Sequence, residues 1–495
     1  MTAAADLDPY LLPLPSPASP VVLPHLATSL HAHLNGRYAD PVWPLAPLTE
    51  NPSASKKAIR WALWPASLQD EMRLATWNLI NGQLRPTFLH GHGSRMRSRL
   101  SLSDTYNTAG QWKQFARWLE DRGIGSLAGC SASVLHDYGQ HLRDTSQDRG
   151  PVLKSLVALT RLWAFDQLSA SPSGIGRPPW DELGVDDYLP AATTAGGENV
   201  TEPLAEQTLG PLLTWAMRMV DDLSGDILAG WAERQRLAGA ARSSASARGM
   251  TALQAYLRPM IAGQAPFPAV VIGGKPALAR TYIGGVTGAS PNQISQFITR
   301  EGLAAAAAQR PGPCPMDVPV TGQIAGKPWR AALDYDEALV LMRHLGTASF
   351  IVCAYLTGMR PGEILGLRTG CCPDPVPGPD GQPGRHLIRG REYKTATDED
   401  GNHQSSGAER EAPWVAITPV VNAIRVLERM VPAGHLLFDH HAHDLPSSRA
   451  GTGSLKVTAV RDRIEDFVTW ANREAARHGL AGEDIPADPL SVKLV

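Results

Sequence analysis

Apolar residues recur along this chain mostly at helical spacing, so the pattern predicts helices before it predicts anything else. In "TAGQWKQFARWLEDRGIGSL", Trp112, Phe115, Ala116 and Leu119 share one helical face, and Gly123 suits a C-terminal cap. "SASVLHDYGQHLRD" gathers Val134, Leu135, Tyr138 and Leu142 on one face behind Ser131, a natural N-cap. A longer apolar run starts at Pro151, a residue at home in a first helical turn. Upstream, "SKKAIRWALWPASLQDEMRLATWNLING" reads as helix beyond Pro65 and stops at Asn81 and Gly82. Leu204 to about Leu257 reads as helix again. So do "DYDEALVLMRHLGTASFIVCAYLTGMRPGEILGLR", "TPVVNAIRVLERM" and "SLKVTAVRDRIEDFVTWANREAARHGL". Only "RHLIRGREYK" and "REAPWVAI" read as strands, a hairpin with a polar loop between them.

The stretches between these patterns divide the chain. Residues 1–55 are rich in Pro, Ala and Leu without a sustained period and read as an irregular leader. Residues 56–170 form a helical domain, and 171–203 are a linker by composition. Residues 204–325 are a helical insertion with an Ala/Pro/Gly-rich end, and 326–495 a domain of helices and the hairpin. The fold class expected is mainly α with a small β-hairpin sheet (α+β), without internal repeats.

Composition adds limits. Of 495 residues, 43% are hydrophobic and 19% charged, enough apolar content for packed cores in about three domains. A formal net charge of -2 means that any contact with nucleic acid must come from local patches. One candidate is "SRMRSRL", which carries Arg95, Arg97 and Arg99. Residues 91–170 as a whole hold ten Lys/Arg against seven Asp/Glu. A solvated basic edge and a phosphate-contacting surface fit that charge equally well. The five cysteines form no CxxC pair and read as reduced thiols of a cytoplasmic protein. No signal-peptide pattern stands at the N-terminus, and no run of about 18 apolar residues suggests a membrane span.

The chemistry sits in "AYLTGMRPGEILGLRTG", Ala354 to Gly370, where an apolar helix stops at Thr357 and Gly358 and Arg360 stands on the turn before a second short helix. Thr357 to Leu367 resembles the first arginine box of the tyrosine recombinases, the phage-integrase family. Lys394, at the end of the first hairpin strand, is similar to that family's hairpin lysine. The block with Trp112, Phe115, Trp118, Leu119 and Tyr138 resembles its helical core-binding domain. The resemblance covers about residues 95–170 and 326–480. It implies two domains that clamp duplex DNA and a phosphotyrosyl mechanism without metal, nucleotide or other cofactor. A guanidinium at Arg360 would bind two non-bridging phosphate oxygens, and Lys394 would protonate the leaving 5′ oxygen. Glu363, one turn beyond Arg360, would hold the guanidinium; a solvated helix-start carboxylate fits the sequence equally well. Arg95, Arg97 and Arg99, with Lys113 and Arg117 on the following helix, are the DNA-contact candidates, and a homo-oligomer on DNA is compatible with the resemblance.

The chain departs from the family after the hairpin. No tyrosine follows Tyr393, and the remaining residues contain no His-x-x-Arg box. The expectation is a C-terminally truncated recombinase that binds DNA but lacks the nucleophile. The alternatives are a DNA-binding regulator or decoy derived from an integrase, and a helical scaffold that does not bind DNA. Tyr393 and Tyr355 read as a strand aromatic and a core residue rather than substitute nucleophiles. "ARTYIGGVTGASPNQISQFITREG" has helix–turn–helix spacing, although an ordinary amphipathic pair has the same signature. "FDHHAHDL" reads as a surface loop rather than a metal site, and no phosphate-binding glycine motif occurs.

Overall fold

The computed structural model describes residues 8–191, 204–242, 244–375, 384–443, 453–480 and 482–486. The end of the expected linker (192–203) and the last residues (487–495) lie outside these. About half of the chain is helical, and the strands form small sheets of two or three. The chain divides into two compact units, residues 1–202 with 391–411, and residues 203–390 with 412–495.

The first unit contains α1 (Gln69–Asn81), α2 (Pro86–His92), α3 (Leu102–Glu120), α4 (Ala132–Thr145), α5 (Arg149–Asp166) and α6 (Trp180–Leu183). Ser101 and Ser131 cap α3 and α4, their hydroxyls accepting from the amides of Asp104 and Val134. The apolar faces of α1, α3 and α5 meet around Trp112, Phe115, Leu159 and Phe165, all buried. Inside this core Trp112 Nε1 donates to the Ala158 carbonyl at 2.6 Å and Trp77 Nε1 to the Pro20 carbonyl at 3.0 Å, whereas the indole nitrogens of Trp61 and Trp118 are buried without a hydrogen-bond partner among the described residues. The leader differs in part from expectation. It has little regular structure, a two-stranded pairing of β1 (Val42–Pro44) with β2 (Ala58–Arg60) and short 3₁₀ turns. Yet Val21, Val22, Trp43 and Leu45 are fully buried in the core of this unit. Asn81, on α1, explains how irregular chain is held there: its amide donates to the Val21 carbonyl and accepts from Leu23 N.

The second unit contains α7 (Glu206–Arg218), α8 (Ser224–Ala240), α9 (Ala247–Ile261), α10 (Arg280–Thr287), α11 (Pro291–Arg300), α12 (Leu303–Gln309), α13 (Glu337–Thr357), α14 (Pro361–Ile364), α15 (Thr418–Met430), α16 (His440–His443) and α17 (Val457–His478). The run expected as continuous helix from 204 to 257 is interrupted between α8 and α9. A sheet, not expected in the helical insertion 204–325, follows α9. In it β3 (Phe267–Ile272) pairs antiparallel with β4 (Lys275–Leu278) and parallel with β5 (Pro311–Gly312). β6 (Gln323–Ile324) and β7 (Lys327–Pro328) make a small hairpin in the Gly/Pro/Ala-rich stretch. That stretch is anchored by Asp226, buried on α8, whose carboxylate accepts from Thr321 N, Gly322 N and Trp329 Nε1.

Helix α13 is the axis of the second unit and packs against α7, α8, α15 and α17. By length and composition it is apolar enough to cross a membrane, contrary to the expectation from the sequence. It is mostly buried, so its apolarity is that of a core helix. The expected hairpin is present but broken. β8 (His386–Ile388) leads to β9 (Arg391–Glu392), which pairs with β10 (Ala408–Glu409), and β11 (Trp414–Ala416) returns to pair with β8. Its base belongs to the second unit and its tip, 391–411, to the first. The histidine run is also not wholly a surface loop. His443 is buried, its Nε2 is 2.8 Å from the Leu437 carbonyl, and its ring lies where a side chain on Gly346 would be.

Candidate functional site

The Arg360 turn is built by its neighbours in sequence. Thr357 turns its hydroxyl back to the Cys353 carbonyl at 2.6 Å, and the same oxygen accepts from Met359 N at 3.1 Å. Gly358 ends α13 in the left-handed region, φ 67°, which a residue with a Cβ adopts at a cost. Pro361 then starts α14 with its fixed φ, while Arg360 remains extended as the residue before it. Met359, Ile364 and Leu365 are buried and pin the turn on both sides. Glu363 is buried with 5% exposure, although a carboxylate so enclosed needs partners. It accepts from Arg360 N at 2.7 Å and from Arg360 Nη1 at 3.3 Å. The Arg360 side chain keeps 45% of its surface exposed. Its guanidinium is therefore oriented by a buried carboxylate and remains partly exposed, a geometry suited to an oxyanion.

Lys394 is exposed, but it lies beyond the point where the hairpin passes into the first unit. Arg360 and Lys394 thus belong to different units. Tyr355 lies on α13 with its hydroxyl buried, and burial pushes its pKa up to about 12, the wrong direction for a nucleophile. Tyr393 is half-buried, its ring covering Gly407 inside the hairpin tip.

The first unit carries a basic groove between α3 and α5, with a volume of about 660 Å³. Arg95, Arg97, Lys154 and Arg161 line it with Gln111 and one carboxylate, Asp104. Arg161 acts as a support. Its Nη2 donates to the Arg95 carbonyl at 3.1 Å, and burial lowers its pKa. Asp104 is engaged by the Ser101 hydroxyl at 2.8 Å. Arg95 and Lys154 are exposed. The other three candidates lie elsewhere. Arg99 lines a neighbouring cavity with Asp398 and His403, and Lys113 and Arg117 stand one helical turn apart on α3, outside the groove. Arg117 Nη2 reaches the Leu63 carbonyl at 3.3 Å.

Two residues outside the expected set shape this region. Lys154 was hidden in an apolar helix pattern. Asn402 lies on the hairpin tip, buried, and its side-chain oxygen accepts from Ser98 N at 2.9 Å and Arg99 N at 3.2 Å. The backbone of the arginine run is thus fixed by a residue some three hundred positions away, which no local pattern indicates. Asp398 completes the clasp by accepting from Asn402 N at 2.8 Å. Among the described residues no group of His, Cys, Asp and Glu has the arrangement of a metal site. Comparison of the chain with protein-family models, curated proteins and solved structures found no match.

Proposed function

We propose that this chain binds duplex DNA and is of the tyrosine-recombinase type, a protein of site-specific recombination or integration. The observation that carries the reading is the Arg360 turn, where a buried carboxylate, Glu363, orients a half-exposed guanidinium on a rigid helix–turn–helix corner. Such a fork matches two oxygens of one phosphate. The α3/α5 groove supports the same partner, because Arg95, Arg97 and Lys154 converge there without a full complement of carboxylates. Lys394 is the candidate proton donor to the leaving oxygen.

A second reading is favoured by one observation: no tyrosine follows Tyr393 in these 495 residues. On that reading the chain binds DNA as a regulator or decoy and does not cut it. The test common to both is fluorescence anisotropy with a labelled duplex from about 50 to about 200 mM salt. Affinity should fall steeply with salt, by about 0.9 in logarithmic slope for each phosphate contact. The triple variant Arg95→Ala, Arg97→Ala, Lys154→Ala should bind more weakly with a shallower slope. Binding that ignores salt, or no binding at low salt, would overturn the proposal.

A further inference from the structure

The segment from Arg234 to Arg300 carries eight basic residues and no acidic one, in a chain whose net charge is -2. It lies in the second unit and has no part in the Arg360 turn or the α3/α5 groove. Within it, α10 and α11 are joined by three residues, Gly288 to Ser290. Gly288 closes α10 in the left-handed region, φ 67°, and Ser290 and Gln293 form a reciprocal capping box at the start of α11. Tyr282, Ile283, Ile294, Phe297 and Ile298 bury the inner faces of the pair. Helix α10 lies close on α8: a side chain on Gly285 would fall 2.5 Å from the Leu237 carbonyl oxygen. The two helices are therefore fixed by packing as well as by the turn.

The outer face of α11 is composed differently from an ordinary solvated face. Asn292, Gln296 and Thr299, at i, i+4 and i+7, are exposed on one stripe opposite the buried Ile294, Phe297 and Ile298. These side chains are uncharged hydrogen-bonding groups with two-sided or bifunctional tips, the types that pair with base edges. Arginines stand around the stripe; the one at the end of α11, Arg300, is paired with Glu301, its Nε donating to Oε1 at 2.9 Å. Gln293 bonds both the amide and the carbonyl of Ser246, the N-cap of α9, at 3.4 and 2.7 Å. Exposed Arg248, two residues on, is thereby held next to the start of α11. Exposed Arg280 begins α10.

We propose that α10 and α11 are a helix–turn–helix reading unit whose second helix enters the major groove of duplex DNA, with Asn292, Gln296 and Thr299 on base edges and Arg248 and Arg280 on flanking phosphates. It shares with the proposed function only the class of partner. A membrane surface would call for apolar residues on that stripe, and an acidic protein for charged ones; the stripe has neither.

The test is selection of the full chain on a randomised duplex library, followed by affinity measurements on the enriched sequence and on a scrambled one. The unaltered chain should enrich a motif. The exposed double variant Asn292→Ala, Gln296→Ala should lose preference at two or three adjacent base pairs, with discrimination falling about 5- to 100-fold per lost base contact. It should keep the unaltered far-UV dichroism and melting temperature. Gln296→Glu, which sets a carboxylate against DNA, should weaken binding to both sequences. An unchanged motif and affinity in these variants would overturn this inference and leave the α3/α5 groove reading standing. Binding by the unaltered chain without any sequence preference would also overturn it. Absence of duplex binding altogether would overturn both.

Discussion

At the residue scale, the pair of Arg360 and Glu363 ties stability to function. Removing the carboxylate leaves Arg360 N without that acceptor and takes away the bond between Glu363 and the guanidinium. Glu363→Ala should cost about 1–3 kcal/mol in chemical denaturation, the range for a buried group left unpaired, and should weaken DNA binding at the same time. Glu363→Gln keeps one acceptor and should recover part of both. An alanine variant as stable as the parent would show that the bond to Arg360 N is not made. His344 gives a second prediction. It is buried on α13 against Phe467 and Trp470, with Arg343, Arg463 and Arg473 around it. Burial first, and those cations second, lower its pKa from the usual 6.5 to about 4. The ring is therefore neutral in the folded chain, while the unfolded chain takes up a proton as pH falls below about 6.5. The stability due to this difference is complete above that pH and is lost on descending to about 4. Its share should be about 2 kcal/mol by pH 5. His344→Leu should narrow the difference between denaturation midpoints at pH 7.5 and pH 5. An equal difference in the variant would assign the acid sensitivity to other groups.

At the scale of elements, the hairpin tip decides how the arginine run is presented. Asn402 holds the amides of Ser98 and Arg99, and His403 N donates to the Arg99 carbonyl at 3.2 Å. Asn402→Ala leaves buried amides unsatisfied and should raise the rate of proteolytic cleavage within both 94–100 and 394–411. Cleavage in only one segment would contradict the clasp. The same scale shows which patterns could be read in advance. The helices around Trp112 and Tyr138 and the one ending at Gly358 follow from apolar spacing and caps. The β3–β4 hairpin does carry a local signal. Its turn is Gly273 and Gly274, both with positive φ, as a type I′ turn requires, and Phe267, Val270, Val271 and Ile272 are strand formers, although the whole of 204–325 is expected to be helical. The interrupted β8–β11 hairpin shows the opposite case: its alternation is legible, while its break between Ile388 and Arg391, where the chain passes from one unit to the other, is not.

At the scale of the whole molecule, each unit has its own hydrophobic core, one centred on Trp43, Trp112 and Phe165 and the other on α13. The chemistry that the resemblance implies needs a tyrosine that can reach phosphorus. Tyr355 has a buried hydroxyl and Tyr393 is packed on Gly407, so this 495-residue chain should form no covalent adduct with DNA. Incubation with a nicked duplex that traps phosphotyrosyl intermediates, followed by a denaturing gel, checks this. An adduct mapped to either tyrosine would refute it. The amino-acid sequence by itself determined the helical character and the Arg360 turn, because helix periodicity, a Thr-Gly stop and a proline start are short-range physics, whereas Lys394, expected at a strand end, lies in a bend two residues past β9. Only the tertiary structure decided that the irregular leader belongs to a core, that Glu363 is buried against Arg360, that Arg95 and Arg97 meet Lys154 while Lys113 and Arg117 face elsewhere, and that Asn402 clasps the arginine run. Those outcomes depend on burial and on hydrogen bonds between residues far apart in the chain, and no local pattern encodes which distant partner will satisfy a buried polar group.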